Sequence, residues 1–192
     1  MKCRKTTIVF CLLFLGIPIC FSSCATRTAV RENQLYAYLT DSSIYTLLPS
    51  KYIEASIDSA QQLYASYRGR DYFLNAWVKA DETGMNMILL NELGANMGEL
   101  SYRDGAISFS SPVLPASVKP EYIVADFQLC FYNTSALRRA LEDCGLSFES
   151  TKAGRRVLQE ETVIIEIEKS FRSVRLVNYL RGYSYTIEGD FE

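Results

Sequence analysis

From Gln61 to Glu188 most of the chain alternates apolar and polar residues over short runs broken by turn signals. Gln61–Tyr67 places Leu63, Ala65 and Tyr67 on one face of a strand, and Arg68-Gly69-Arg70-Asp71 turns it. Tyr72, Leu74, Ala76, Val78 and Ala80 form the apolar face of the next strand. Asp81-Glu82-Thr83-Gly84 reads as a hairpin loop. Met85–Asn91 is a third strand, apolar in part on both faces, and Leu93-Gly94-Ala95-Asn96 turns again. Leu100 and Tyr102 share a face, Asp104-Gly105 is a turn signal, and Ile107 with Phe109 closes the meander.

The middle of the chain breaks this period. Pro112, Pro115 and Pro120 punctuate a loop. Beyond it, Ile123, Val124, Phe127, Cys130 and Phe131 recur at helical spacing over Glu121–Phe131. A short aromatic strand over 122–131 is the competing assignment. A second helix fits Thr134–Asp143, with Asn133 or Thr134 as its cap and Gly145 as its stop.

The last third returns to period two. Leu146–Ser150 and Arg155–Gln159 flank the Ala153-Gly154 turn. Val163, Ile165 and Ile167 alternate with Thr162, Glu166 and Glu168. Val174, Leu176 and Asn178 form the next strand, and Arg181-Gly182 leads into Tyr183, Tyr185 and Ile187. The order strands, two helices, strands predicts a mainly β (α+β) fold. Its expected form is a curved antiparallel sheet or incomplete barrel, with two helices across its concave apolar face.

The N-terminus follows other rules. Met1-Lys2-Cys3-Arg4-Lys5 is basic, Ile8–Phe21 is almost wholly apolar, and Ser22-Ser23 precede Cys24. Basic, apolar, small, then Cys is the order of a bacterial lipoprotein signal. The apolar run is about 14 residues, short of the roughly 20 a spanning helix needs. The alternatives are an uncleaved anchor helix and cleavage before Cys20, where Ile19 is too bulky and Pro18 adjoins. Residues 1–23 are therefore expected to leave as a signal peptide, with Cys24 acylated. Residues 24–43 are expected to form a lipidated tether with a short helix around Glu32–Leu39. Residues 44–192 make one domain, opening on a strand, Ile44–Leu48, stopped by Pro49.

Composition narrows the chemistry. Cleavage removes three of 20 basic residues and none of 22 acidic ones, leaving the body at about −5 without a basic nucleic-acid footprint. Thirteen Tyr and ten Phe suit a sheet-rich domain. The chain has no histidine, so Ser-His and Cys-His nucleophile pairs and His-bearing zinc sites are excluded. Neither Cys-x-x-Cys, a nucleophile elbow nor a phosphate-cradling loop occurs after Cys24. Neither a metal nor a cofactor is expected. Cys130 and Cys144 remain in the body, either as a disulfide permitted by an oxidising compartment or as free thiols.

Four segments carry a resemblance. They are Ile44-Tyr45-Thr46-Leu47-Leu48-Pro49; Leu100-Ser101-Tyr102-Arg103-Asp104-Gly105; Ala125-Asp126-Phe127-Gln128-Leu129; and Leu176-Val177-Asn178-Tyr179 with Gly182-Tyr183-Ser184-Tyr185-Thr186-Ile187. Their order and spacing resemble the uncharacterised lipoprotein family called domain of unknown function 3261, over roughly residues 44–188. That family accompanies aryl-polyene and fatty-acid-like biosynthesis genes. The resemblance implies a half-barrel similar to the carrier and outer-membrane receptor of bacterial lipoprotein sorting, closed by helices around an apolar cavity for acyl chains. Ala25 after Cys24 implies transfer to the outer membrane. The sorting receptor also projects a loop with an exposed apolar residue, whereas the nearest hairpin here, Asp81–Gly84, is polar.

Two readings of the apolar sheet face follow. Leu74, Ala76, Val78, Leu100, Tyr102, Phe127, Tyr183 and Tyr185 line a hydrophobic cavity, or they are plain core under the helices. Buried tyrosines need hydroxyl partners, which suits a pocket with a few polar groups. Asp126 and Gln128 are expected on the helix's solvent face or satisfying nearby backbone, without a catalytic role. The leading expectation is a non-enzymatic lipoprotein on the periplasmic side of the outer membrane. It would be anchored in membrane lipid through Cys24 and would bind or relay an acyl-chain or polyene ligand. The second is a structural or interaction lipoprotein of an envelope complex with a filled core.

Overall fold

A computed structural model describes residues 27–31, 35–103, 105–114 and 118–191. The signal sequence, Cys24 and Asp104 lie outside the described residues. The described strands are β1 (Arg27–Arg31), β2 (Tyr36–Tyr38), β3 (Ile44–Thr46), β4 (Ile57–Tyr67), β5 (Arg70–Asp81), β6 (Gly84–Leu90), β7 (Asn96–Arg103) and β8 (Ala106–Ser111). Helices α1 (Pro120–Phe131) and α2 (Thr134–Glu142) follow. Then come β9 (Ser147–Ser150), β10 (Gly154–Gln159), β11 (Thr162–Lys169), β12 (Ser173–Asn178) and β13 (Tyr183–Gly189).

Eleven of these strands form one antiparallel sheet in the order β1-β8-β7-β6-β5-β4-β13-β12-β11-β10-β9. Two meanders, β4–β8 and β9–β13, are therefore joined through their outermost members. The last strand lies beside the first long one, with Tyr183 opposite Tyr67 and Ile187 opposite Leu63. Among the described residues β1 and β9 are the two ends of the sheet, which does not close.

The turns form where the sequence predicts them. Gly69, Gly94, Gly105 and Gly182 all have positive φ, the region an L side chain resists. Gly154 serves differently. It starts β10 against β11, and a Cβ there would run into the Ile167 carbonyl oxygen.

Strict alternation fails at two bulges. Between Val157 and Leu158 the β10–β11 register shifts, so Ile164 stands between the paired Val163 and Ile165. Both Ile164 and Ile165 are buried in consequence. The β6–β7 register shifts at Leu89/Leu90.

Both helices are present, and the strand alternative for 122–131 is not adopted. Pro120 opens α1 in its first turn, where a missing N–H is harmless. Asn133 caps α2, its side-chain oxygen accepting from the Ser135 and Ala136 amides at 2.9 and 3.1 Å. Leu137 and Leu141 are the buried stripe of α2, and the Gly145 that follows has φ +80°. Arg138 reaches the Phe148 carbonyl of β9 at 2.6 Å and ties α2 to that edge strand.

α1 departs from expectation. It is buried on nearly every side, including Val124, Ala125, Gln128, Leu129 and Cys130. The cause is the β2–β3 hairpin, which covers what the large sheet leaves open. Leu35, Ala37 and Leu39 point inward while Tyr36 and Tyr38 are exposed. That alternation makes Tyr36–Tyr38 a strand, not the short helix expected around Glu32–Leu39. Residues 27–31 also join the sheet through β8, so much of the expected tether is built into the domain.

Two buried polar clamps fasten α1. Gln128 Oε1 accepts from the Leu48 amide and the Tyr45 hydroxyl at 2.9 and 3.0 Å, and its Nε2 donates to the Leu48 carbonyl at 2.8 Å. A glutamine side chain thus pairs with a peptide group as another strand would. In the next residues of the helix, buried Arg155 donates to the Leu129 and Cys130 carbonyls at 2.8 and 3.1 Å and to Glu54 at 2.7 Å. Cation and terminal carbonyls suit one another at a helix C-terminus.

Cys130 and Cys144 are free thiols, so the disulfide alternative is not realised. They face different surroundings. Cys130 is fully buried beside the Tyr185 hydroxyl, and burial first, then the Asp126 charge, pushes its thiol up to about 12. Cys144 donates to the Leu141 carbonyl in the turn after α2.

Candidate functional site

Where β4 pairs with β13, the turns at one end of both strands come together. The β4–β5 turn brings Arg68, and the β12–β13 turn brings Leu180 and Arg181. Helix α1 adds Tyr122 and Ile123 from its first turn and Asp126 one turn further on. Between them opens a cleft of about 940 Å³. Its walls also include Ala65, Val118 and Tyr185, so most of the lining is apolar or aromatic. A volume of this size lies within the roughly 300–1,000 Å³ of small-ligand pockets.

A buried hydrogen-bonded polar group sits in the wall. The Tyr183 hydroxyl donates to Asp126 Oδ2 at 2.8 Å and accepts from the Asn178 side-chain amide at 3.3 Å. Tyr183 and Tyr185 stack with ring centroids 6.5 Å apart and planes 9° apart. Burial raises the Asp126 carboxyl to about 7, against the smaller opposing pull of the Tyr183 hydrogen bond and the Arg181 charge. Burial, then the neighbouring Asp126 charge, holds the Tyr183 phenol well above its ordinary range.

This has a measurable consequence. The unfolded Asp126 carboxyl titrates near about 4, so between about pH 4 and 7 the folded chain binds the extra proton. The stability Asp126 contributes is complete below about pH 4 and is lost as pH rises through about 7. Asp126→Asn keeps a partner for the Tyr183 hydroxyl without the titration. Urea midpoints should fall from pH 5 to pH 8 in the parent and change less in Asp126→Asn. Parallel pH profiles would show that Asp126 is ionised throughout.

The eight candidate cavity residues divide. Tyr183 and Tyr185 line the cleft. Ala76, Val78, Leu100 and Phe127 are packed in the core, each under a tenth exposed. Leu74 is half-buried opposite Leu63, away from the cleft lining. Tyr102 is a core tyrosine whose hydroxyl donates to the Leu48 carbonyl at 2.9 Å, and it borders a second cleft of about 780 Å³ with Leu35, Leu47 and Cys144.

Asp126 and Gln128 are not on a solvent face. Gln128 satisfies backbone as expected, but from inside the core, and Asp126 is buried in the cleft wall. Sequence reasoning missed Tyr122, Ile123 and Arg181 as lining. Tyr122 and Ile123 lie one helical turn before Asp126, the signal that could have grouped them. Arg181 carried no such signal.

No curated protein matches the chain. A family model does, over residues 58–189, from the second residue of β4 through the end of β13. The clefted sheet, from β4 to β13, is thus the part that is shared, and the chain belongs to the family described as protein of unknown function (DUF3261).

Proposed function

We propose that this protein is a non-enzymatic, outer-membrane-anchored lipoprotein that binds or relays acyl-chain or polyene lipid on the periplasmic side. The observation that carries the reading is the cleft of about 940 Å³ with a largely apolar and aromatic lining, held between α1 and β13. Burying a chain there contributes about 0.8 kcal/mol per CH₂, so discrimination among chains is loose. The open sheet supports the half-barrel expected from the lipoprotein-sorting proteins, with its helices on a concave apolar face. Among the described residues the hairpin at Glu82–Thr83 is polar, Asp81 holding Thr83 through its amide and hydroxyl. The next turn, however, presents Leu93, 92% exposed. Leu93 is the apolar tip we assign to contact with the membrane.

The test is native mass spectrometry of gently extracted protein, with Ala65→Trp as the variant. Ala65 lines the cleft, so a tryptophan there occupies ligand space. Parent protein should carry a hydrophobic adduct that Ala65→Trp loses while keeping its unfolding midpoint. Ala76→Trp is the contrast: Ala76 is 6% exposed core, and overpacking there should cost roughly 1–3 kcal/mol. Absence of any adduct on the parent would instead favour an envelope-complex protein without ligand.

A further inference from the structure

The mouth of the cleft is charged in a way its interior is not. Three connections meet there, and each supplies one cation: Arg68 from the β4–β5 turn, Lys119 from the segment before α1, and Arg181 from the β12–β13 turn. Pairing of Tyr183 with Tyr67 sets the first and third turns side by side. All three residues are exposed. Two are held against aromatic faces: the Arg68 guanidinium lies 5.0 Å from the Tyr67 ring centroid and that of Arg181 4.8 Å from the Tyr122 centroid. Such stacking orients a guanidinium and leaves its edge N–H groups to bind. Arg181 uses one of them on the Tyr38 carbonyl.

Among the described residues, none of the three has a carboxylate within ion-pair distance. The acidic groups lining the cleft are Asp41 and Asp126. Asp41 is a single exposed charge against three cations. Asp126 is buried in the wall with its Oδ2 taken by Tyr183. The mouth therefore carries an excess of positive charge on a chain whose net charge is −2.

We infer that the cleft takes a single-chain amphiphile whose head is a carboxylate, the chain lying along Ala65, Ile123 and Tyr185 and the head held at the mouth by Arg68, Lys119 and Arg181. The inference rests on the acyl-chain reading above and adds the chemistry of the head. A carboxylate matches the planar fork of a guanidinium, which can present two parallel N–H donors to it. An uncharged alcohol or ester head would leave the three cations unmatched, and an ammonium head would be repelled.

The test uses the full chain in its native membrane and two photoactivatable probes. The probes share one long saturated chain, with a diazirine near its end, and finish in either a carboxylic acid or an alcohol. Labelled peptides are mapped by mass spectrometry. The acid should label cleft residues at least about fivefold more strongly than the alcohol, as expected for a few exposed charge contacts. In Arg68→Gln/Lys119→Gln, both substitutions being at exposed positions, that ratio should fall towards one while alcohol labelling persists. Equal labelling of the parent by acid and alcohol would overturn the head assignment and leave the acyl-chain reading standing. An acid preference undiminished in the double variant would overturn the role of these cations. Absence of cleft labelling by either probe would overturn both readings.

Discussion

Gln128→Ala is expected to destabilise the domain by about 3–5 kcal/mol, more than most single substitutions. Gln128 is fully buried, and its amide is the partner of three groups from the segment after β2. Truncation leaves the Leu48 amide and the Tyr45 hydroxyl without their acceptor and removes one donor to the Leu48 carbonyl. Each buried group left unmatched costs about 1–3 kcal/mol, and the vacated volume adds a cavity penalty. The Leu48 carbonyl keeps the Tyr102 hydroxyl, so the loss is not the full sum. Against a total stability of about 5–15 kcal/mol, this would unfold a substantial fraction of molecules at physiological temperature. Tyr45→Phe removes one of the same bonds and should cost only about 1 kcal/mol. Urea unfolding followed by circular dichroism separates the two. A Gln128→Ala cost below that of Tyr45→Phe would mean that the clamp contributes little.

The second large effect concerns attachment. Under the proposed function Cys24 carries the acyl groups, and Cys24→Ser should abolish incorporation of a fatty-acid analogue outright. The expected product is an unlipidated precursor or a form released to the periplasm. Stable anchoring needs more than one acyl chain, so loss of the acceptor thiol is all-or-none. Undiminished labelling of Cys24→Ser would remove both the anchor and the outer-membrane location from the proposal. The domain itself should be indifferent to the change. Its sheet, helices and cleft are built from residues after Cys24, and the family match begins only at residue 58.

If both results hold, the protein is a rigid cleft on a short leash. β1 runs from Arg27 into the sheet beside β8, which leaves few residues between Cys24 and the folded body. Arg27 stands opposite Ser111 and Glu99 opposite Ser110, so the exposed Leu93 turn before β7 lies toward the same end of the sheet at which β1 begins.

Most of the fold was legible in the sequence because both of its periods are local. Strand alternation and turn glycines are written in neighbouring residues, so β4 to β8 and β9 to β13 fell where period two and Gly69, Gly94, Gly105 and Gly182 put them. The helices were legible for the same reason: Pro120 before an apolar run at helical spacing, then Asn133 at a cap. Leu35, Ala37 and Leu39 carried the signal of β2 as well, although so short a run is ambiguous beside a polar stretch.

What the chain alone could not decide is which apolar face meets which. Alternation shows that Ala76, Val78 and Leu100 share the character of Tyr183 and Tyr185, and it cannot show that the first three are packed solid while the last two border open space. That division depends on the pairing of β13 with β4, a contact between strands more than a hundred residues apart in sequence. The same holds for the polar residues of α1. The partners that bury Asp126 and Gln128 come from distant parts of the chain: Tyr45 and Leu48 make Gln128 a backbone clamp, and Tyr183 of β13 makes Asp126 part of the cleft wall. Cys130 and Cys144 follow the same logic: they are near in sequence, but α1 turns one thiol to the Tyr185 hydroxyl and the turn after α2 sends the other to the Leu141 carbonyl. Local sequence determined the elements and their turns, and only long-range pairing decided which surfaces became core and which became a cleft.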